Sequence, residues 1–205
     1  MLTVITPATS KRLTTVSTVR DELGITTAEA SDDTVNRWID YASQAIVDYC
    51  ATEFAEQTYL EEVYAPPANR ARILLSRFPV TSVTEAKYGG DVMPVEDYRL
   101  DDGYFYRLSA SGRPVFWGPS QIAIQYVAGY TLPGTPNYTL PPTIEQACID
   151  EISARRSRLA RDPLIRSETE DGVGATTYQV VSGTGSLTHP DSAGNLERYR
   201  MVLLG

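Results

Sequence analysis

The chain has 205 residues, 42% hydrophobic and 21% charged, which fits one ordinary globular domain or one domain carrying a small inserted module. No apolar run approaches the roughly 18–20 residues of a membrane span. The opening MLTVITPATSKR lacks a charged start leading into an apolar core, so no secretory leader is expected and synthesis is placed in the cytoplasm. A net charge of −8 and a pI near 4.7 leave too little excess Lys and Arg for tight non-specific DNA binding, although an acidic protein can surround DNA without gripping it.

Residues 1–12 read as an irregular arm. A short helix is expected from about Ser17, as N-cap, to Leu23, stopped by Gly24, with Val16, Val19 and Leu23 on one side. The next helix is the clearest element. Asp32 or Asp33 can cap it, and Val35, Trp38, Ile39, Ala42, Ile46, Tyr49 and Cys50 recur at spacings of three and four. Asn36, Arg37, Asp40, Ser43 and Gln44 fall on its polar face, and its end is expected near Thr52.

From Thr58 to Tyr130 the chain turns β-like. Strands are expected over Thr58–Tyr64, Arg72–Leu75, Val80–Tyr88, Val92–Val95, Tyr98–Leu100 and Tyr104–Leu108, with turns at Gly89-Gly90 and Asp101-Asp102-Gly103. Pro94 suggests an edge position. Ile122, Ile124 and Tyr126 alternate with Ala123, Gln125 and Val127, the best period-two signal in the chain. Six or seven strands should form an antiparallel sheet or small sandwich. A Pro-rich linker over 131–142 leads to a long helix from about Thr143 to Arg161, with Ile144, Ala147, Cys148, Ile152 and Leu159 as its apolar stripe. Residues 164–194 are rich in Gly, Ser and Thr and read as extended or mobile. NLERYRMVLL at 195–204 then suggests a short helix. Such an apolar terminal peptide either docks on a partner, through Leu196, Tyr199, Met201, Val202, Leu203 and Leu204, or packs back on its own core.

Little here suits chemistry. His189, the sole histidine, lies in a turn-like, polar stretch, and no Gly-x-Ser-x-Gly nucleophile elbow is present. Glu168, Glu170 and Asp171 before Gly172 lack the ordered carboxylates of a calcium loop. Glu61-Glu62 and Asp101-Asp102 are adjacent pairs whose side chains point to opposite faces of a strand. Neither Gly172-x-Gly174 nor Gly183-x-Gly185 extends into a phosphate-binding pattern. Cys50 and Cys148 read as buried free thiols, with a disulfide between helices as the alternative, and two cysteines and one histidine do not make a structural zinc site. No cofactor and no metal are therefore expected, and no enzyme. Arg155, Arg158 and Arg161 form a row on the long helix. The row suits subunit or DNA-channel contacts, or simply complements the helix dipole. Thirteen tyrosines, several between Tyr59 and Tyr106, point to a contact surface.

The ordered series of segments resembles the head-tail connector, or adaptor, proteins of tailed bacteriophages and phage-like particles. The residues that carry the resemblance are the helix ending in Trp38–Tyr49, LLSRFPVTSV at 74–83, EDYRLD at 96–101, Ser111-Gly112-Arg113, Trp117, IQYVAGY at 124–130 and LPPTIEQAC at 140–148. It covers residues 14 to 162, and 163–205 match less clearly. The resemblance implies an α+β fold: a helical core of two N-terminal helices and one long helix after an inserted antiparallel β-module, with an extended C-terminal tail. The parts fall at 1–56, 57–132, 141–162 and 163–205. It further implies a structural virion protein at the neck, made in a bacterial host. About twelve copies would form a ring, binding the portal protein on one side and tail or stopper proteins on the other, with DNA passing through unread and no membrane involved. A small protein- or carbohydrate-binding module of a virus particle, not associated with the portal, is the alternative. A hydrolase built on a carboxylate pair has no support in the residues.

Overall fold

The computed structural model describes residues 1–64, 70–159, 167–170, 174–177 and 187–201. The chain forms two compact units, one of Met1–Ser10 with Phe54–Thr131 and one of Lys11–Glu53 with Leu132–Gly205. Mixed α+β architecture follows directly, with the β-rich stretch in the first unit and, among the described residues, four α-helices in the second.

In the β unit, the strands are β1 (Leu2–Thr6), β2 (Gln57–Val63), β3 (Arg72–Leu74), β4 (Val80–Tyr88), β5 (Asp91–Val92), β6 (Tyr98–Asp101), β7 (Tyr104–Leu108), β8 (Pro114–Val115) and β9 (Ile122–Ala128). They build two antiparallel sheets. One has the order β1-β2-β9-β4-β5; the other has β3-β7-β6, with β8 also pairing β7. The alternation read at Ile122–Tyr126 is realised in full: Ile122, Ile124, Tyr126 and Ala128 are buried and their neighbours are not. β9 is accordingly the central strand, bonded to β2 and β4 along its whole length. The inward faces of both sheets share one core containing Tyr59, Ile73, Leu75, Ala86, Phe105 and Trp117. Phe105 stacks on Trp117 with centroids 5.8 Å apart. Burying each such side chain is worth about 1.5–3 kcal/mol, so this core sets the sandwich.

Two turns explain how the strands keep register. Gly89 and Gly90 have φ of 65° and 97° between paired Tyr88 and Asp91, the left-handed pair that a tight hairpin needs. Asp102 and Gly103, with φ of 45° and 74°, do the same between β6 and β7.

The expected irregular arm is corrected: Leu2–Thr6 is a strand paired with β2, Leu2 facing Glu61. Its alternation was hidden because only one flank of this outer strand is paired and four of its five residues are exposed. The strand expected at Val92–Val95 is also shorter. It stops at Val92, and a 3-10 turn over Val95–Asp97 follows Pro94, which lacks the N–H a ladder requires.

In the helical unit, α1 (Val16–Leu23) is capped two residues earlier than expected, by Thr15, whose Oγ1 accepts from Thr18 N at 3.2 Å. Gly24 closes it in the left-handed region. α2 (Asp32–Cys50) is capped by Ser31 rather than by an aspartate. Ser31 Oγ accepts from Thr34 N at 3.3 Å, while Asp32 and Asp33 occupy the first turn at the positive end of the dipole. α3 is Pro142–Leu159. Val35, Ile39, Ile46, Cys50, Ile144, Cys148 and Ile152 are almost wholly buried. Ser43, assigned to the polar face of α2, is buried too. It accepts from Leu13 N at 3.1 Å and meets Cys148 Sγ at 3.7 Å, so α2 is covered over a wider arc than its stripe suggests. Cys50 and Cys148 are free thiols.

The tail read as extended contains, in its described parts, the antiparallel pair β10 (Ser167–Glu170) and β11 (Gly174–Thr177), then α4 (Pro190–Leu196) and a 3-10 turn over Glu197–Tyr199. The short helix expected at 195–204 thus lies earlier. Pro190, with its fixed φ, takes the first helical position.

Candidate interaction surfaces

Three buried carboxylates organise the interior, and each is spent on the fold. Glu61 on β2 is 7% exposed and accepts from Ser76 N at 2.9 Å, Ser76 Oγ at 2.6 Å and the Tyr126 hydroxyl at 2.8 Å. Burial, with this carboxylate beside it, pushes the Tyr126 phenol above its ordinary range. Glu145 on α3 accepts from Thr14 Oγ1 at 3.1 Å and from the Tyr138 hydroxyl at 3.4 Å. Glu151, one turn and a half further, is 1% exposed. Its two oxygens accept from Thr188 N at 2.7 and 2.8 Å and one accepts from His189 N at 3.0 Å. It thereby fixes the entry to α4. Saturated in this way, these groups bind structure rather than substrate. Among the described residues no three of His, Cys, Asp and Glu stand together to hold a metal.

His189 sits at the N-cap position of α4 and supplies its backbone N–H to Glu151. The Glu61-Glu62 pair is split as expected, with Glu61 inward and Glu62 accepting from Gln121 Nε2 at the surface. Asp171 and the side chains of Glu168 and Glu170 lie outside the described residues.

The predicted docking residues divide. Leu196 and Ser192 are fully buried, Leu187 is nearly so, and the Met201 backbone N–H reaches Cys50 O at 2.8 Å. The stretch up to Met201 is therefore packed on the chain itself, and Leu196 is corrected from a partner contact to a core residue. α4 packs on α3 within this unit, and the burial of Leu196 removes its apolar surface from water. Tyr199 and Met201 are half-buried, and Val202, Leu203 and Leu204 lie outside the described residues. Of the three arginines in the row, Arg155 has a described side chain. The Arg155 guanidinium lies 3.3 Å from the Tyr41 ring centroid, a cation–π contact between α3 and α2. Arg156 pairs with Glu29 at 3.8 Å. The Arg158 side chain and Arg161 fall outside the described residues.

Two surfaces that sequence reasoning missed lie on the β unit. Along β3, Arg70, Ala71, Arg72, Leu74, Tyr104 and Phe116 line a shallow groove of about 380 Å³. Leu74 is 53% and Phe116 63% exposed, and Arg72 lies over the Tyr104 ring at 4.2 Å. From β5 to the 3-10 turn, Val92 and Val95 are 61% and 73% exposed, next in the chain to Asp91 and Glu96. Leu74 with Phe116, and Val92 with Val95, thus leave large apolar side chains open to water.

Residues 12–152 match the family of head completion proteins. The chain belongs to this family. The resemblance to head-tail connectors read from the ordered segments is thereby borne out at the level of the family. The fold also aligns with that of a protein in the virion of a native gene transfer agent particle, with a TM-score of 0.57 and 20% identity over 100% of this chain and 98% of the other. Equivalent matches come from the neck of the empty particle computed with C6 symmetry, at 0.57 and 21%, and the neck of the native particle computed with C12 symmetry, at 0.56 and 18%. Both cover 100% of this chain and 98% of the matched one. At these identities the likeness is one of fold. No curated protein matches the chain.

The segments shared with connectors have structural duties in this head completion protein. In Phe78-Pro79-Val80, a Cβ at Gly103 would collide with the Phe78 ring, so the β6–β7 turn and the start of β4 are matched to one another. In Ala128-Gly129-Tyr130, Gly129 has φ of 114°, donates its N–H to Pro79 O at 2.9 Å and lies against the backbone of Ala55 and Glu56. The Tyr130 N–H reaches Phe54 O at 2.7 Å.

Proposed function

We propose that this head completion protein is a non-catalytic structural part of the neck of a phage-like particle, a connector that forms a ring of about twelve copies joining the portal to the tail. The observation that carries the reading is the family match over residues 12–152. Two others support it: a like fold, end to end, among proteins of a particle neck reconstructed with 12-fold symmetry, and a surplus of acidic residues. In this reading DNA passes along the ring axis without being read. The net charge of −8 keeps the phosphate backbone from adhering. Portal protein lies on one side and tail or stopper proteins on the other. Residues Val202, Leu203 and Leu204, following the packed stretch, dock on the portal, and Arg155, Arg158 and Arg161 lie toward neighbouring subunits or the channel. Many weak contacts repeated around a closed ring add to a firm joint.

Co-sedimentation with portal rings from the same genome tests this. Binding that saturates at one copy per portal subunit is the expected result, and a chain that stays in the supernatant, correctly folded, overturns it. A variant ending at Met201 should lose the binding with its circular dichroism unchanged. Full binding by that variant removes the docking role from Val202, Leu203 and Leu204.

A further inference from the structure

Two stretches of the β unit carry opposite charge. β3 and β6 flank β7 on opposite sides. On the β3 side, segments 70–77 and 113–118 contain Arg70, Arg72, Arg77 and Arg113 and no acidic residue. Among the described residues, Arg70, Arg72 and Arg113 make no ion pair. Between them lie exposed Leu74 and Phe116. Segment 91–102, which runs from β5 through the 3-10 turn into β6, contains Asp91, Glu96, Asp97, Asp101 and Asp102 against one cation, Arg99. Arg99 reaches Asp101 only at 4.0 Å, and Asp91 and Glu96 make no ion pair among the described residues. Exposed Val92 and Val95 lie between these acids. The first is thus an apolar pair framed by cations; the second is an apolar pair framed mainly by acids, with Arg99 near Asp101 and with Lys87, the register partner of Val92, held by Glu85.

From this we infer that the β3 groove of one copy receives the Val92–Val95 corner of the next copy, head to tail. Val92 and Val95 would cover Leu74 and Phe116, and Asp91 and Glu96 would face Arg70 and Arg72. A chain with complementary patches on different sides makes a heterologous contact, and such contacts close into a ring when the rotation between copies is right. Opposite charges framing the contact would set its direction and disfavour like-to-like pairing. The inference rests on the ring reading above and assigns its interface on the β unit.

Charge reversal tests it. One variant carries Arg70→Glu with Arg72→Glu, the other Asp91→Lys with Glu96→Lys. All four positions are exposed, and emission of buried Trp117 reports that the β unit is folded. Each variant alone should need about tenfold more protein than the wild type to complete rings on portal, because like charges then face each other around the ring. An equimolar mixture of the two should assemble as readily as the wild type, since every contact again pairs opposite signs. Assembly of each variant at the wild-type concentration overturns the interface while leaving the ring reading intact. So do defects that the mixture leaves uncorrected, and so does normal ring formation with loss of tail-protein attachment alone. Failure of the wild type to form any ring overturns both.

Discussion

Glu151→Ala should free the C-terminal segment from the helical unit. The carboxylate is 1% exposed and accepts from two backbone donors, Thr188 N and His189 N, at 2.7–3.0 Å. A buried donor stripped of its partner costs about 1–3 kcal/mol, and hydrogen bonds to a charged group lie at the upper end. Both donor residues are half-buried, so water replaces part of the loss. About 3 kcal/mol for the pair is the resulting size. If opening of 187–201 governs amide exchange there, that corresponds to roughly a hundredfold faster exchange. Hydrogen exchange read by peptide mass would show it in the segment from Leu187 to Met201, with β9 unaffected. Glu151→Gln, which keeps one acceptor oxygen, should give about half the free-energy loss. Exchange in Glu151→Ala within threefold of wild type would refute the reasoning that this carboxylate holds the segment.

Gly129→Ala should be severe. Its Cβ would stand 2.5 Å from Ala55 O and 2.8 Å from Glu56 Cα, with no flexible side chain to yield, at a φ of 114°. A loss of about 3 kcal/mol or more, read as a melting temperature roughly 6–12 °C lower, is expected, and a fall under 2 °C would contradict the close approach. Glu61→Ala strands the Tyr126 hydroxyl and the Ser76 N–H, and should cost about 3 kcal/mol in urea unfolding followed through Trp117. Burial raises the Cys50 thiol from 9.0 to about 11 and the Cys148 thiol to about 12. The neutral thiols are favoured in the fold, so their contribution is complete below pH 9.0 and is lost as pH rises through about 11 and 12. A thiol reagent at pH 8 should therefore label Cys50 about a hundredfold more slowly in the native protein than in denaturant. Equal rates would place it at the surface.

The sequence is most legible where one physical rule dominates. The period of two at Ile122–Ala128 announced the central strand because both flanks are paired and one face is wholly buried. Gly89-Gly90 and Asp102-Gly103 announced the hairpins because glycine accepts positive φ at little cost and aspartate tolerates it. Leu2–Thr6 was illegible because an exposed outer strand needs no alternation. Glu61 and Glu151 carried a signal that went unread. Each falls on the buried period of its element, Glu61 with Gln57 and Tyr59, and Glu151 with Ile144, Ala147 and Cys148. A carboxylate in that register implies inward donors. Leu196 could be read either way, since an apolar terminal stripe looks the same whether it faces its own chain or another. The two charged sides of the β unit arise from residues far apart in sequence, such as Arg70 and Arg113, that strand pairing to β7 brings onto one edge.

Electron microscopy of the chain mixed with assembled portal rings from the same genome tests the connector reading most directly. The account predicts an added ring, coaxial with the portal and sharing its symmetry. Portal rings that remain bare in the presence of folded chain would contradict it.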